Sequence, residues 1–332
     1  MDNRRVLFIA SSFFNYAELI KSELINQGWQ VDYYDDRPST NAVIKGMIKV
    51  NKQLMDGLIQ AYFDKIMSET KNKNYDLVFV INCKVFSPSM VERLKRVHRN
   101  AKFVLYLWDS IANYPHTEAL ISCFDKAFSF DSEDCRKHDK MIFLPLFYSD
   151  NYRKLSDEAR TNDYQYDISI ICTAHPKRYE FLKKLIPFFK TNHMKYYMYM
   201  YLGSRLLFLY NKMFQKEFKH AKLREFEFTP LGESQVLDVV KKSKIILDIQ
   251  HHLQTGLTMR TIETLGAKRK LITTNENIKN YDFYHPNNIF LMDESNYESV
   301  KEFMKLDYVE IKKEIYAKYS LVNWVKQITA GS

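Results

Sequence analysis

Glycine is scarce in this sequence, accounting for 8 of the 332 residues. The motif G-x-x-x-x-G-K-[ST] is absent, and no G-x-G-x-x-G follows the first apolar run. These absences argue against a P-loop nucleotide hydrolase and against a standard dinucleotide-binding domain. A phosphate group bound by this chain would therefore be held by side chains and by the N-termini of helices, where free N–H groups and the helix dipole favour anions.

Cysteine is also sparse, and its four positions show no paired spacing: Cys83, Cys123, Cys135 and Cys172. Because there is no Cys-x-x-Cys and no metal-ligand spacing, we expect reduced, mostly buried thiols in a cytosolic protein. The first ten residues hold a short apolar run without a small-residue cleavage site. They fit a first β-strand better than a signal peptide.

The sequence is rich in apolar, aromatic and basic residues. Hydrophobic residues make up 46% of the chain and aromatic residues 15%, which is typical of a globular protein. The length suffices for two α/β domains that each bury a core. The net charge of +9 permits an anionic partner, whether nucleic acid, a phosphate-rich substrate or a membrane surface.

The basic excess is concentrated in residues 190–225, which contain eight lysines and arginines against two glutamates. Tyrosine, methionine, leucine and phenylalanine are interleaved with them. One interpretation is a surface that lies on an anionic leaflet. The other is a core strand followed by a half-buried helix with solvated lysines. No stretch reaches the roughly 18 uninterrupted apolar residues of a transmembrane helix.

Short apolar runs alternate with amphipathic segments along the chain. The clearest runs are 4–10, 75–82 and 102–108 in the first half, and 166–171 and 244–250 in the second. Strands that alternate with helices at this spacing predict doubly wound parallel sheets. We therefore predict an α/β protein of two Rossmann-like doubly wound domains facing a cleft.

The predicted domains cover residues 1–150 and 164–307. Residues 150–166 are polar and lack apolar periodicity, which is typical of a linker. The C-terminal segment 308–332 is predicted to be helical. Ligands often bind in the clefts between such domains.

Residues 251–275 are predicted to form a polar loop, a helix that stops at Gly266, and a buried strand. Ligands bind outside the carboxyl ends of strands in an open parallel sheet, where this loop would lie. Arg260 and Glu263 are three residues apart on the helix, near enough to serve one ligand. The alternative is an i,i+3 ion pair on a solvated helix face.

This segment resembles the donor-site helix of GT-B glycosyltransferases, particularly those of bacterial capsule and lipopolysaccharide synthesis. The resemblance is carried by Ile262-Glu263-Thr264-Leu265-Gly266 and then Leu271-Ile272-Thr273-Thr274. It implies that Glu263 contacts the nucleotide ribose, since a carboxylate can accept from both ribose hydroxyls. It also implies that the C-terminal helix crosses back onto the first domain.

The loop that opens the second domain is the next candidate for donor binding. Thr173, His175 and Arg178 follow a buried strand and open a helix. Arg178 can grip a diphosphate bidentately, and the other two can add hydrogen bonds. In the GT-B enzymes that this chain resembles, that loop faces the nucleotide diphosphate. The alternative is an arginine that pairs with a surface acid.

Gln254, Thr255 and Gly256 would place an amide, a hydroxyl and bare backbone near the donor, and Asn275 is a further contact candidate. Retaining members of the superfamily often carry a glutamate eight residues before the ribose-binding one. Here that position is Thr255, so the sequence leaves retaining and inverting chemistry both open. One residue of the pair His251-His252 is predicted to be a core or hinge residue.

In the first domain, Asp109 ends a buried strand and is the candidate general base, which inverting GT-B enzymes need from the acceptor domain. Alternatively, it caps the next helix or pairs with a lysine. Asp131 and Asp134 do not form the Asp-x-Asp metal pattern of GT-A enzymes. We therefore expect neither a metal nor another cofactor, and helix termini with Arg178 or Arg260 would stabilise the leaving diphosphate.

The resemblance implies a glycosyltransferase of surface polysaccharide synthesis. Its partners would be a nucleotide-sugar donor and a saccharide or polyprenol-diphosphate-linked acceptor, without nucleic acid. We expect it in the cytoplasm, with peripheral contact at the inner face of the cytoplasmic membrane as an option. Three alternatives remain: a sugar-nucleotide epimerase, a polyol-phosphate transferase, and a non-catalytic protein that binds anions or nucleic acid.

Overall fold

The computed structural model describes residues 4–12, 15–38, 55–82, 85–157, 164–250 and 254–331. The chain divides into two compact units. The first comprises Met1–Leu146, His252–Gly256 and Leu321–Ser332, and the second comprises Phe147–His251 and Leu257–Ser320.

The first unit is built on a parallel sheet of six strands in the order β2-β1-β3-β4-β5-β6. The strands are β1 (Arg5–Ile9), β2 (Gln30–Tyr34), β3 (Leu77–Ile81), β4 (Lys102–Leu107), β5 (Lys126–Ser129) and β6 (Met141–Phe143). Every residue of β3 is buried, as expected for a central strand of a parallel sheet that is covered on both faces.

Helices connect these strands: α1 (Tyr16–Asn26), α2 (Asp56–Thr70), α3 (Pro88–Val97), α4 (Glu118–Ile121) and α5 (Ser132–Lys137). Ser87-Pro88 is a sequence typical of a helix start, and α3 begins there, with the Ser87 hydroxyl accepting from the Met90 N–H at 3.4 Å. The sequence also predicts a helix over residues 41–71, of which 41–54 lie outside the described residues and Asp56–Thr70 forms α2.

The second unit is built on a parallel sheet of five strands in the order β11-β10-β9-β7-β8. The strands are β7 (Tyr166–Thr173), β8 (Tyr196–Tyr201), β9 (Ser243–Asp248), β10 (Lys270–Thr273) and β11 (Ile289–Leu291). Its helices are α6 (Asp150–Asp157), α7 (Pro176–Thr191), α8 (Arg205–Phe214), α9 (Glu233–Lys241), α10 (Met259–Gly266), α11 (Val300–Lys305) and α12 (Lys313–Lys318). The predicted architecture of two doubly wound α/β units is confirmed.

Part of the predicted linker is wrong, because Asp150–Asp157 forms helix α6. This short helix packs against α10 and buries Tyr152 and Leu155. Two apolar positions three residues apart are too few to give a visible helical period in a polar sequence.

The predicted single helix near the C-terminus is also interrupted. Helix α12 is separated from α13 (Leu321–Thr329) by Tyr319 and Ser320. The Tyr148 N–H donates to the Tyr319 carbonyl at 2.9 Å, and Ser320 forms a bridge with Tyr148. This strand-like pairing takes the backbone groups that a continuous helix would need.

Helix α13 belongs to the first unit and buries Trp324 against its sheet. The Trp324 ring lies 4.7 Å from the Tyr106 ring and 6.0 Å from the Phe79 ring, measured between centroids. Within the described ranges, none of the helices has the length and hydropathy needed to cross a bilayer.

Candidate functional site

The second sheet has a point at which its strand order reverses. After β7 the chain adds β8 on one side, then returns to add β9 on the other. The loops after β7 and β9 therefore leave in opposite directions, and ligands of doubly wound folds bind in the crevice that this creates. Helices α7 and α10 both begin there and direct their N-terminal N–H groups outward from the sheet.

The start of α10 is fixed by a small network of hydroxyls around Asp248. One carboxylate oxygen of Asp248, Oδ2, accepts from the Thr258 hydroxyl at 2.5 Å and from the Thr261 hydroxyl at 2.8 Å. Thr258 is the N-cap residue, and its oxygen also accepts from the Thr261 N–H at 3.1 Å. The last residue of β9 thereby determines where α10 begins.

Arg260 and Glu263 form an ion pair, with Arg260 Nη1 2.9 Å from Glu263 Oε2. The Glu263 side chain is only 4% exposed and that of Arg260 19%, so the alternative of a solvated surface pair is wrong. Arg260 Nη1 also donates to the Tyr152 hydroxyl at 3.4 Å. Burial, with the negative charge of Glu263, raises the pKa of Tyr152, so this tyrosine stays neutral.

Arg178 joins the two loops that diverge from the sheet. Its Nε and Nη2 donate to the Ile249 carbonyl at 3.1 and 2.6 Å, and its Nη1 donates to the Thr173 carbonyl at 2.8 Å. The guanidinium thus holds the end of β7 to the segment after β9, and it bonds backbone carbonyls rather than a surface acid. Contact with a diphosphate stays a prediction for Arg178.

The other residues of this loop lie beside the helix start. Thr173 is exposed at the end of β7, and half-buried His175 is the N-cap residue of α7. The half-buried thiol of Cys172 precedes them, and burial raises its pKa to about 11. The thiol is therefore uncharged at neutral pH.

Asn275 is buried and caps the short 3₁₀ helix Glu276–Asn280, its side-chain oxygen accepting from the Asn277 N–H at 3.0 Å. This capping role was not predicted, and its contact with a ligand stays a prediction.

Helix α10 ends at Gly266, as predicted, but the glycine does not supply a left-handed cap. The left-handed residue at this helix end is Lys268, with a φ of 49°. Gly266 serves instead to admit the Tyr148 ring, because a Cβ atom there would lie 2.5 Å from a ring carbon.

Gln254, Thr255 and Gly256 belong to the first unit. The Thr255 N–H donates to the Asp131 carboxylate at 3.0 Å, and its hydroxyl donates to the other oxygen of that carboxylate. Gly256 packs against Phe130, since a Cβ there would meet the ring at 2.5 Å. Their proposed donor contacts stay predictions, and His251-His252 lies outside the described residues.

Asp109 lies just after β4 in the first unit and is held by an amide. Asn82, the residue after β3, donates from Nδ2 to Asp109 Oδ2 at 2.7 Å and accepts from the Trp108 N–H at 2.9 Å. Asn82 adopts a left-handed backbone conformation with a φ of 61°. No sequence motif marks Asn82, although its place at the end of a buried strand was a usable signal.

The first unit also contains an open cavity of about 570 Å³ at the ends of β4 and β5. Its lining includes Ser110, Asp131, Asp134, Lys137, His138 and Thr255. Asp134 is 4% exposed and accepts from the Ile111 N–H at 3.0 Å. Burial raises the pKa of Asp134, and the charge of nearby Asp131 adds to this effect. Most of its lining comes from residues 110–138, and the cavity was not predicted because no local pattern shows that the segments after β4 and β5 face the same space.

Carboxylates, a histidine and hydroxyls can together bind the hydroxyl groups of a polar ligand. Among the described residues, no group of three or more histidine, cysteine, aspartate or glutamate side chains is arranged to hold a metal ion.

No protein-family profile and no curated protein matches the sequence. Solved structures do match the fold over nearly the whole chain. An α-glucosyltransferase in complex with UDP and a 13-mer DNA is 14% identical, with 98% of this chain and 94% of that chain covered and a TM-score of 0.58.

Two further structures each cover 98% of both chains. The UDP-GlcNAc 2-epimerase of Methanocaldococcus jannaschii, in complex with UDP-GlcNAc and UDP, is 10% identical with a TM-score of 0.55. HepE of Anabaena, in complex with UDP-glucose, is 9% identical with a TM-score of 0.59. Identities this low show a shared fold alone, the GT-B fold with its two doubly wound α/β units.

Proposed function

We propose that this protein is a glycosyltransferase whose second unit binds a nucleotide-sugar donor. The observation that carries the proposal is the buried Arg260–Glu263 pair on α10, a helix that begins where the strand order reverses. A carboxylate fixed in this way is ready to accept from the hydroxyls of a ribose. The N-termini of α7 and α10 supply N–H groups for the diphosphate.

Three similar structures support a uridine nucleotide as the first ligand to test. The α-glucosyltransferase holds UDP, the epimerase holds UDP-GlcNAc and UDP, and the Anabaena protein holds UDP-glucose. In this proposal, helix N-termini together with Arg178 or Arg260 stabilise the leaving diphosphate, and neither a metal nor another cofactor is needed.

The first unit would bind the acceptor, a saccharide or a polyprenol-diphosphate-linked saccharide of surface polysaccharide synthesis. Asp109 would act as the general base, with Asn82 as the positioning residue that orients its carboxylate. The polar cavity beside Asp134 would bind acceptor hydroxyls. The proposal that the acceptor belongs to capsule or lipopolysaccharide synthesis is based on the sequence resemblance alone.

A sugar-nucleotide epimerase is the second candidate. The epimerase of M. jannaschii shares the fold, and Asp131, Asp134 and His138 line one cavity. Acids and a histidine around a sugar are groups that epimerase chemistry needs. An epimerase converts the nucleotide sugar without an acceptor, whereas a transferase releases the nucleotide in proportion to glycosylated acceptor.

Nucleotide binding tests the proposal through a conservative change at Glu263. Glu263→Ala would leave the half-buried Arg260 without its counter-charge, at a cost of about 3 kcal/mol in stability, the lower end for a buried pair. Glu263→Gln keeps the shape and one acceptor oxygen, so the fold should persist. We expect UDP, GDP or CMP, or one of their sugar conjugates, to raise the Tm of the parent. We expect Glu263→Gln to bind that ligand about tenfold more weakly, since hydrogen bonds to a charged group are lost.

Asp238→Asn is the matched control, because it breaks an exposed ion pair with Lys242 in the same unit. Its affinity should equal that of the parent. If Glu263→Gln binds the nucleotide as tightly as the parent does, Glu263 is not a donor contact and the assignment of α10 is wrong.

A further inference from the structure

Helix α8 exposes the apolar side chains that a surface helix would normally bury. Within α8, only Phe208 and Asn211 are buried. Leu206 is 77% exposed, Met213 76% and Phe214 65%. The remaining exposed apolar residues of the helix are Leu207, Leu209 and Tyr210. Single exposed apolar residues are ordinary, but six on one short helix are not.

These side chains form one continuous face. At about 100° per residue, the six positions occupy an arc of roughly 160° on the side opposite Phe208. The ring centroids of Tyr210 and Phe214 lie 4.9 Å apart, so the apolar side chains of neighbouring helical turns contact one another. The Ser204 hydroxyl caps the helix by accepting from the Leu207 N–H at 3.0 Å. The apolar face therefore lies on a properly terminated helix.

The segment in and just after α8 is rich in exposed cations, which together are called its basic rim. The exposed cations in and just after α8 are Arg205, Lys212, Lys216, Lys219, Lys222 and Arg224. The acids in the same stretch are half-buried Glu217 and Glu225, and the Lys183 ammonium lies 2.7 Å from a carboxylate oxygen of Glu225. The turn Lys216–Phe218 packs against both α7 and α8, and the Lys212 ammonium donates to the Ala221 carbonyl at 3.1 Å, so the segment that carries these cations lies against α8.

We propose that α8 and its basic rim bind the surface of an anionic lipid bilayer. The apolar face would enter the boundary between headgroups and acyl chains, and the lysines and arginines would contact lipid phosphates. An interfacial helix combines a wide apolar face with basic residues in this way. The proposal does not depend on the proposed nucleotide site, because α8 follows the edge strand β8.

The charge of the rim favours a lipid surface over a second copy of the chain. Two copies that met through α8 would bring two sets of cations together, and juxtaposed like charges oppose association. An anionic leaflet has the complementary sign over the whole rim, and its acyl chains match leucine and methionine side chains.

Vesicle co-sedimentation tests the proposal with the full-length protein. The vesicles are phosphatidylcholine alone or phosphatidylcholine mixed with phosphatidylglycerol. One variant carries Leu206→Ser, Met213→Ser and Phe214→Ser, and another carries Lys216→Gln, Lys219→Gln and Lys222→Gln. The control carries Ile25→Ser, Leu58→Ser and Leu306→Ser, which are exposed apolar positions elsewhere. Thermal unfolding checks that each variant folds, and all the substituted side chains are exposed.

We expect the parent and the control to sediment with the mixed vesicles and much less with phosphatidylcholine alone. Each α8-region variant should bind at least tenfold more weakly. A parent that ignores the anionic vesicles at low salt overturns the proposal. So does a serine variant that binds as tightly as the parent, because its charges alone would then account for binding. A parent dimer that the serine substitutions dissociate would assign the face to a second copy and also overturn it.

Discussion

At Gly266 the backbone conformation would allow any residue, but the packing leaves no room for a side chain. Gly266 has no left-handed φ, yet a Cβ atom there would approach the Tyr148 ring to 2.5 Å. That ring is buried, so it has little room to move. The residue is a glycine because α10 and the segment before α6 pack closely at this point.

We expect Gly266→Ala to lower the free energy of unfolding by about 1–3 kcal/mol, the usual cost of overpacking. Gly57→Ala is the matched control. A Cβ at Gly57 meets nothing within 4 Å, and the residue lies in helix α2. Alanine there should be neutral or stabilising by up to about 1 kcal/mol. Urea denaturation of both variants measures the difference, and equal effects would contradict the packing argument.

Lys270 is a buried cation at the start of β10. Its ammonium donates to the Leu306 carbonyl at 2.7 Å and to the Phe303 carbonyl. Burial lowers the pKa of Lys270 to about 8, and the charge of Lys244 adds to this effect. The folded state is therefore penalised for holding this charge below about pH 8.

This penalty should disappear as the pH rises from about 8 to about 10.4, where lysine titrates in the unfolded chain. The unfolded state binds more protons in that window, so the parent should gain stability relative to Lys270→Met, which has no charge to lose. The gain should be about 3 kcal/mol, because each unit of pKa difference between the folded and unfolded states corresponds to about 1.4 kcal/mol. Denaturation of both proteins across this pH range measures it, and a constant difference would show that Lys270 titrates normally.

Among the helices and strands, the sequence predicts best those that contain a long run of apolar residues. The runs that became β3, β4 and β9 are almost entirely buried, and each was read from unbroken apolar sequence. Helix α6 was missed because it buries only two side chains. The break before α13 was missed because it depends on Tyr148, which is far away in sequence.

The sequence predicts those parts of the candidate site that lie close together on one helix. Arg260 and Glu263 were found because their spacing places them together on one helix. The contacts of Arg178 with Ile249 and of Thr255 with Asp131 depend on which loops meet in the folded chain. No local sequence pattern predicts contacts between residues so far apart in the chain.

The start of helix α10 offers a test at this scale. Thr258 caps the helix and also donates to Asp248, so Thr258→Ala removes two hydrogen bonds from a half-buried site. We expect a loss of about 2 kcal/mol, the upper end for an N-cap. Ser204→Ala is the control, an exposed cap of α8 that makes one such bond, and it should cost about 1 kcal/mol or less. Equal losses in thermal unfolding would show that Asp248 does not strengthen the cap.

At the scale of the whole molecule, both sheets follow the same topological rule. The first reverses its strand order between β1 and β3, as the second does between β7 and β9. In the first unit, Asn82, Asp109 and Asp131 all follow the carboxyl ends of strands. Both doubly wound sheets therefore carry polar groups at the strand ends, where such folds bind ligands, and the proposed transferase would use one site for each of its two ligands.

The net charge of +9 leaves a nucleic-acid partner as the alternative. Electrostatic binding to nucleic acid weakens steeply with salt. Binding of a nucleotide sugar at helix N-termini also depends on charge, but it requires the ribose contact as well. The two interpretations therefore differ most clearly in where the ligand lies on the second unit.

Hydrogen–deuterium exchange with saturating UDP, and with GDP and CMP in parallel, is the most direct test of that location. One nucleotide is expected to slow amide exchange in the first turns of α7 and α10, at residues 177–180 and 259–263. Those amides lie at the point where the strand order reverses. Unchanged exchange in both turns, whether the nucleotides fail to bind or bind elsewhere, would contradict the proposed donor site.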